Sequence, residues 1–306
     1  MNVLAEVFNA QLWSDVLRMT TPILLLALGA MITDRAGVLN IALEGLLVFG
    51  AFAGVLGTGL TGSLVVGVAS AMLASGALAL VFAWFALYLR GNIFIVGLAT
   101  NAFAAAATTY AAWLISGREG SLRYAQAPTL AKLEVPLLKD VPFLAFLSGH
   151  TIIDYAAWAL VIIVAFVVFR SRFGLRLRAV GERPVAARAI GLPVRRIQYA
   201  AVVISGLLAG LAGAQLSLTL GGFVQNMSGG RGWIGLVASI VGNGTALGSA
   251  VASVLFGAAE GVANSLQITA PNLPAQLLFA LPYLITLVAL VAYSASRSRK
   301  KGVLEA

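Results

Sequence analysis

The chain has 306 residues, 60% of them hydrophobic and only 10% charged, with a mean hydropathy of +0.96. A water-soluble domain carries roughly 25% charged residues, so this composition defines an integral membrane protein. The formal net charge is +9 and cysteine is absent, which excludes disulfides, thiolate chemistry and cysteine metal sites.

A hydrocarbon layer of about 30 Å takes roughly 20 apolar residues per helical span. The N-terminus, MNVLAEVFNAQLWSD, has no basic n-region and no cleavage site, and reads as mature protein. A first span runs from Val16 to Thr33 and ends at the pair Asp34 and Arg35. Val38 to Thr58 is a second, interrupted by Asn40, Glu44 and Gly45. The third is long, Leu64 to Leu89, closed by Arg90, with Trp84 and Tyr88 at the level of an aromatic belt. A fourth, Ile93 to Ser116, carries Asn101 in its interior. The mixed loop 117–149 follows, in which the apolar stretch Pro136 to Leu147 is expected to dip into the interface, and Ile152 to Phe169 is the fifth span.

The stretch RSRFGLRLRAVGERPVAARAIGLPVRR, 170–196, holds eight arginines against one acid, Glu182. Such a loop stays on the cytoplasmic side. With the tail Arg297, Arg299, Lys300 and Lys301 it contains twelve of the twenty basic residues, so the basicity encodes topology rather than nucleic-acid binding. Inside it, Glu182, Arg183, Pro184, Val185, Ala186, Ala187, Arg188, Ala189, Ile190 and Gly191 form a candidate short helix. Pro184 suits a first helical position and Gly191 the residue past the end. Its functional reading is a docking knob for a soluble partner; the alternative is a solvated loop whose arginines only set orientation.

Ile197 to Leu220 is the sixth span. Its SGLLAGLAGA run includes the pair Gly206 and Gly210, which lets helix backbones approach closely in lipid, so this helix should be central. The glycine-rich stretch 221–232 then precedes Trp233 to Val241, too short to span alone. Thr245 to Gln267 and Ala275 to Tyr293 complete the set. If the arginine-rich loop and the tail are both inside, Trp233 to Val241 must cross with help from extended residues 221–232. The same parity gives nine crossings, with Arg35 and Arg90 inside and the N-terminus outside.

Irregular backbone at membrane depth is tolerated only where it is buried in protein or lines a cavity. Two stretches look like that, AGVLNIALEG at 36–45 and GGFVQNMSGGRGWIG at 221–235, one in each half of the chain. Paired interruptions of this kind point to possible inverted repeats around a midplane pathway. Glu44 and Asn40, four residues apart, would share a helix face; they either line a path or form a buried hydrogen-bond pair joining two helices, and for Glu44 the second is preferred because one carboxylate makes no relay. Asn101, Gln215, Asn243, Glu260 and Asn264 carry the same two readings. Gln225 and Asn226, in the unwound stretch, are candidates for the pathway itself. Asp154 should favour a helix dipole, and His150, the sole histidine, reads as structural rather than as a metal ligand. No phosphate-binding glycine loop, zinc motif, catalytic triad or carboxylate pair is present, so no catalytic or metal site and no bound cofactor is expected.

The block TDRAGVLNIALEGLLVFGAF at 33–52 resembles the signature of permease subunits of bacterial ABC importers, in the ribose/branched-chain amino acid permease superfamily, and most of all its nucleoside and simple-sugar branch. The blocks at 179–214 and 230–261 are similar to that family's coupling loop with its following helix and to its third marker. This resemblance implies one transmembrane permease domain over 1–306, an all-α polytopic protein of about 8–10 transmembrane helices in the bacterial inner membrane. It further implies a second homologous permease, a cytoplasmic ATPase that binds the ATP, and an extracytoplasmic substrate-binding protein. Residues 182–191 would seat in the ATPase. Asn40, Glu44, Asn101, Gln225, Asn226 and Trp233 would lie along the translocation path. The competing expectation is an ion- or proton-coupled transporter working without an ATPase, which the lack of acidic relay residues disfavours; a passive channel is a third.

Overall fold

In the computed structural model, residues 10–117, 120–134 and 145–269 are described, with isolated helical positions at 280, 284, 287, 288 and 291. Helix α1 (Ala10–Arg35) is followed by α2 (Leu43–Thr61), α3 (Leu64–Ala83) and a π-helical turn (Trp84–Tyr88), then α4 (Ile93–Ser116). Two-residue strands β1 (Ser121–Leu122) and β2 (Lys132–Leu133), a 3-10 turn (Ala145–Leu147) and β3 (His150–Thr151) make up the loop before α5 (Ile152–Arg170). Helices α6 (Arg172–Glu182) and α7 (Pro184–Ala189) lead into α8 (Val194–Leu220), β4 (Phe223–Val224), α9 (Arg231–Val241) and α10 (Ala246–Thr269). Strand β1 pairs antiparallel with β4, and β2 with β3.

Helix ends follow local chemistry. Helix α4 begins where the Asn92 side chain accepts from the Phe94 and Ile95 amides at 3.0 and 3.4 Å, and ends at Gly117 in a left-handed conformation. These signals are why its bounds coincide with the expected span. Helix α5 opens on a capping box. The Asp154 carboxylate accepts from the Thr151 amide and hydroxyl, both at 2.8 Å, and also from Gln215 of α8 at 3.2 Å. Asp154 therefore ties two helices together besides opposing a dipole. His150 is buried, and its Nε2 donates to the Phe146 carbonyl at 2.8 Å.

Among the described residues, seven helices are long and apolar enough to cross a membrane, and α9 is a shorter apolar one. Helix α8 lies at the centre, packed on α1, α2 and α3. Its small-residue run works as expected. A Cβ at Gly206 would fall 2.5 Å from the Ala79 Cβ, and one at Gly210 would fall 2.7 Å from the Met72 Cα. The backbones of α8 and α3 are thus in contact, and close packing replaces the hydrophobic drive that lipid does not supply. Gly210→Leu should leave little folded protein: a monodisperse peak in detergent chromatography is expected to fall several-fold, while Gly62→Asn, at an open helix end whose left-handed conformation asparagine tolerates, keeps most of it.

Long-range contacts fix the direction of each helix. The Arg35 guanidinium donates to the Gly244 carbonyl at 2.7 Å and the Asn243 carbonyl at 3.0 Å, so the α9–α10 turn sits at the C-terminal end of α1. Gly37 packs on Gly181, and Arg35 and Arg178 both lie over the Phe169 ring, at 5.7 and 5.5 Å. The arginine-rich end of the molecule is therefore one face. At the opposite end, β4 pairs with β1 beyond α4, and the Leu130 amide donates to the Leu218 carbonyl at 3.1 Å. Between Val224 and Asn243 the chain goes from one end to the other, using irregular residues and then α9, as the parity of the sequence demands. Eight passages lie among the described residues; the stretch 136–144 falls outside them, as does the expected span 275–293 apart from its five isolated helical positions.

Two expectations are corrected. Residues 36–42 are not helical, so Asn40 and Glu44 do not share a helix face: α2 starts only at Leu43. The arginine-rich loop also holds a second helix, α6, capped by Ser171 and burying Gly174, Leu177 and Val180 on one side. The dense arginines hid that three-residue periodicity.

Candidate functional site

The two interrupted stretches meet. Residues 36–42 bring the chain back into the bundle before α2, and their backbone polar groups find side-chain partners, as burial at this depth requires. Asn40 is fully buried; its Oδ1 accepts from the Ala42 amide at 3.1 Å and its Nδ2 donates to Ser205 Oγ of α8 at 3.0 Å. Asn101 of α4 spans the start of α2: its Nδ2 donates to the Ile41 carbonyl at 2.9 Å and its Oδ1 accepts from the Gly45 amide at 2.8 Å.

The second break ends where α9 begins. Gly230 is its cap residue with φ 77°, and no side chain of its own neighbourhood caps it. Glu44 fills that role from the first break. Its two oxygens accept from the Gly230 amide at 3.0 Å and the Gly232 amide at 2.7 Å. A carboxylate at a helix N-terminus meets both the orphan donors and the positive end of the dipole. The fit requires glycine at 232, where a Cβ would fall 2.5 Å from the Glu44 Cα.

Arg231, between those glycines, pairs with Glu260 of α10 at 2.8 Å and also donates to the Met227 and Ser228 carbonyls. The pair is largely buried, with side chains 17% and 11% exposed. Arg231→Met strands the Glu260 carboxylate and should cost about 3 kcal/mol, whereas the double replacement Arg231→Met with Glu260→Met should recover most of it. Denaturant unfolding of the purified chain in detergent reads both.

Above this junction is a cavity of about 390 Å³, at the small end of the roughly 300–1,000 Å³ usual for ligand pockets. Glu44, Gly45 and Val48 of α2 form one wall; Asn101, Ala105, Thr108 and Thr109 of α4 form another; Phe223, Gln225, Asn226 and Ser228 of the second break form the third. Phe223 is fixed edge-on against Phe52, with centroids 5.5 Å apart, and the Gln225 amide donates to the Gly120 carbonyl at 2.6 Å. Asn226 has φ 60°, a left-handed turn that asparagine tolerates. The wall mixes amides, hydroxyls and a carboxylate with apolar surface.

Of the path candidates, Glu44, Asn101, Gln225 and Asn226 come together around this cavity. Asn40 does not: it is enclosed in the core against α8. Trp233 also lies elsewhere, on the surface of α9 with 38% exposure. Thr108, Thr109 and Phe223 escaped sequence reading. Thr108 and Thr109 lie two turns after Asn101 on α4, and that spacing was the available signal.

At the arginine-rich end, α7 has Pro184 in its first turn and closes through Gly191 at φ 83°, whose amide donates to the Arg188 carbonyl. Glu182 ends α6 and Arg183 is the joint. Ala187 is buried, while Val185 and Ile190 are 79% and 76% exposed, an apolar knob in a charged rim.

A polytopic bundle with two half-length breaks meeting at a polar cavity, and a short helix projecting from its basic face, defines a membrane permease. The chain belongs to the family described as branched-chain amino acid transport system / permease component, which it matches over residues 12–290. It is similar to the guanosine ABC transporter permease protein NupQ of Bacillus subtilis, 34% identical over 89% of this chain and 88% of that protein. The putative glucose ABC transporter permease protein TsgC13 of Haloferax volcanii is 31% identical over 95% and 93%. The nucleoside ABC transporter permease protein NupC of Lactococcus lactis is 28% identical over 92% and 91%. The fold is similar to that of a solved structure described as an inward-facing conformation of a putative metal-chelate type ABC transporter. The TM-score is 0.52 and the identity 15%, over 94% of this chain and 87% of that one. The protein is a multi-pass membrane permease component.

Proposed function

We propose that this permease component imports a nucleoside, with uptake driven by ATP hydrolysed on a separate subunit. The cavity where the two breaks meet carries this reading. Its polar groups are amide and hydroxyl donors and acceptors, Asn101, Gln225, Asn226, Thr108 and Thr109, set beside the Phe223 ring. A base needs an apolar or aromatic face and in-plane hydrogen bonds, and a ribose needs hydroxyl partners. The similarity to guanosine and nucleoside permeases favours the same class of solute.

The remaining parts follow from that assignment. Residues Glu182 to Gly191 seat in a cytoplasmic ATPase through Val185 and Ile190. A second, related permease completes the pathway, and an exported binding protein delivers the solute to the face opposite α7. Motion of α7 passes through α8 to α2, which packs on α8 and whose first turns line the cavity, alternating its access.

Uptake of labelled guanosine, a pentose and glucose should be compared in cells expressing the chain with its genetic neighbours. Guanosine accumulation that unlabelled nucleosides compete away, and that Gln225→Ala or Asn226→Ala reduces at least about tenfold through loss of one or two hydrogen bonds, is the expected result. Uptake of the sugars alone would overturn the substrate class.

A further inference from the structure

A second cavity, of about 370 Å³, opens on the arginine-rich face between the α3–α4 turn and the start of α8. Arg90, Arg188, Arg195 and Arg196 line it, with Leu192 and Pro193. Among the described residues none of these four arginines is in an ion pair. Four positive charges converging without a counter-charge repel one another, and a bound anion removes that cost.

Two features locate the anion at the edge of the bilayer. The π-helical turn beside the cavity exposes Trp84, Phe85, Tyr88 and Leu89, each between 44% and 56% accessible, an aromatic band of the kind that lies at headgroup level. The Arg195 guanidinium sits 5.8 Å above the Tyr88 ring, joining the basic pocket to that band. The backbone also commits to the arrangement. Arg90 holds φ 56°, a left-handed conformation arginine rarely adopts, while the Gly91 amide donates back to the Phe85 carbonyl at 3.0 Å. That hydrogen bond closes the end of the π-helical turn, so Arg90 takes the left-handed position of a helix C-terminus beside the cavity. In addition, α8 starts beside the cavity with no side-chain cap, and while the Val194 amide donates to the Leu192 carbonyl, those of Arg195 and Arg196 are further donors at its start.

We propose that this pocket binds the phosphate of an anionic membrane lipid from the leaflet on the arginine-rich side. The acyl chains lie along the exposed aromatic turn and the headgroup phosphate rests between Arg90, Arg195 and Arg196. Because Arg188 belongs to α7, a bound lipid also anchors the inner edge of that projecting helix. This inference uses only the orientation of the chain, not the identity of its solute.

The test is native mass spectrometry of the full-length chain in detergent, titrated with phosphatidylglycerol and with phosphatidylcholine. The chain should retain phosphatidylglycerol in preference. Arg90→Gln with Arg196→Gln should reduce that preference by about 25-fold, at roughly fivefold per arginine. Arg90→Lys with Arg196→Lys should keep most of it, and Arg196→Gln alone, distant from the left-handed turn, should lose about fivefold. An unchanged preference in the glutamine variants would refute the site. So would displacement of the lipid by millimolar inorganic phosphate, which would make the pocket a free-anion site. Unaltered lipid binding together with loss of a co-purifying soluble protein would make it a protein-docking surface instead, and would equally overturn the proposal.

Discussion

Replacing Val185 and Ile190 together by aspartate is expected to abolish uptake, by at least about 100-fold, and to release the ATPase from detergent-solubilised complexes, while the permease itself stays folded. The reason is the division of labour within α7. Ala187 faces inward and fastens the helix, through neighbours at α6 and α8, to the bundle. Val185 and Ile190 contribute almost nothing to the fold, being 79% and 76% exposed. Two large apolar side chains at the centre of a contact act as anchors, and charging both places desolvated carboxylates against the partner. Membrane insertion and thermal stability are the controls. Persistent uptake with a correctly inserted variant would show that the projecting helix does not transmit the driving force. Loss of stability would be inconsistent with the exposure of both residues.

Glu44→Ala is expected to cost about 3–6 kcal/mol in unfolding free energy, because two charge-assisted hydrogen bonds to the start of α9 disappear. Water in the neighbouring cavity can reach the vacated amides but supplies neither the charge nor the fixed geometry of the carboxylate. Glu44→Gln should lose about half as much, since its single carbonyl oxygen satisfies one amide. Denaturant unfolding in detergent measures both, and uptake should fall in the same order. Equal stability for all three chains would show that the carboxylate does not hold α9.

Much of the fold was readable from residues close together in sequence. The bounds of α4 are set by Asn92 and Gly117, those of α7 by Pro184 and Gly191, and the burial of α8 by its small residues. The arginine-rich loop fixed the parity that forces a crossing between Val224 and Asn243. What stayed hidden was pairing at long range. Nothing within a turn of Glu44 reveals that its partner is the backbone of a helix start nearly two hundred positions later. The partner is a pair of amides, which every residue type but proline offers. Asn40 misled for a related reason: a four-residue spacing implies a shared face only where the backbone is helical, and 36–42 is not. For the site, polar residues were visible as candidates, yet whether an asparagine lines a cavity or closes a gap in the core depends on neighbours from other helices. Asn101 does both.

The shortness of α9 has a consequence for leakage. Eleven residues rise only about 16 Å, roughly half the hydrocarbon thickness. Among the described residues this is the one passage whose helix is a stub too short to span, and the polar cavity lies directly above it. A shift of a few ångströms in that stub would breach the barrier without refolding any long segment. The same thinness means that a loosened start of α9 should raise passive permeability to small ions, a cost visible as growth sensitivity even in cells that never need the solute.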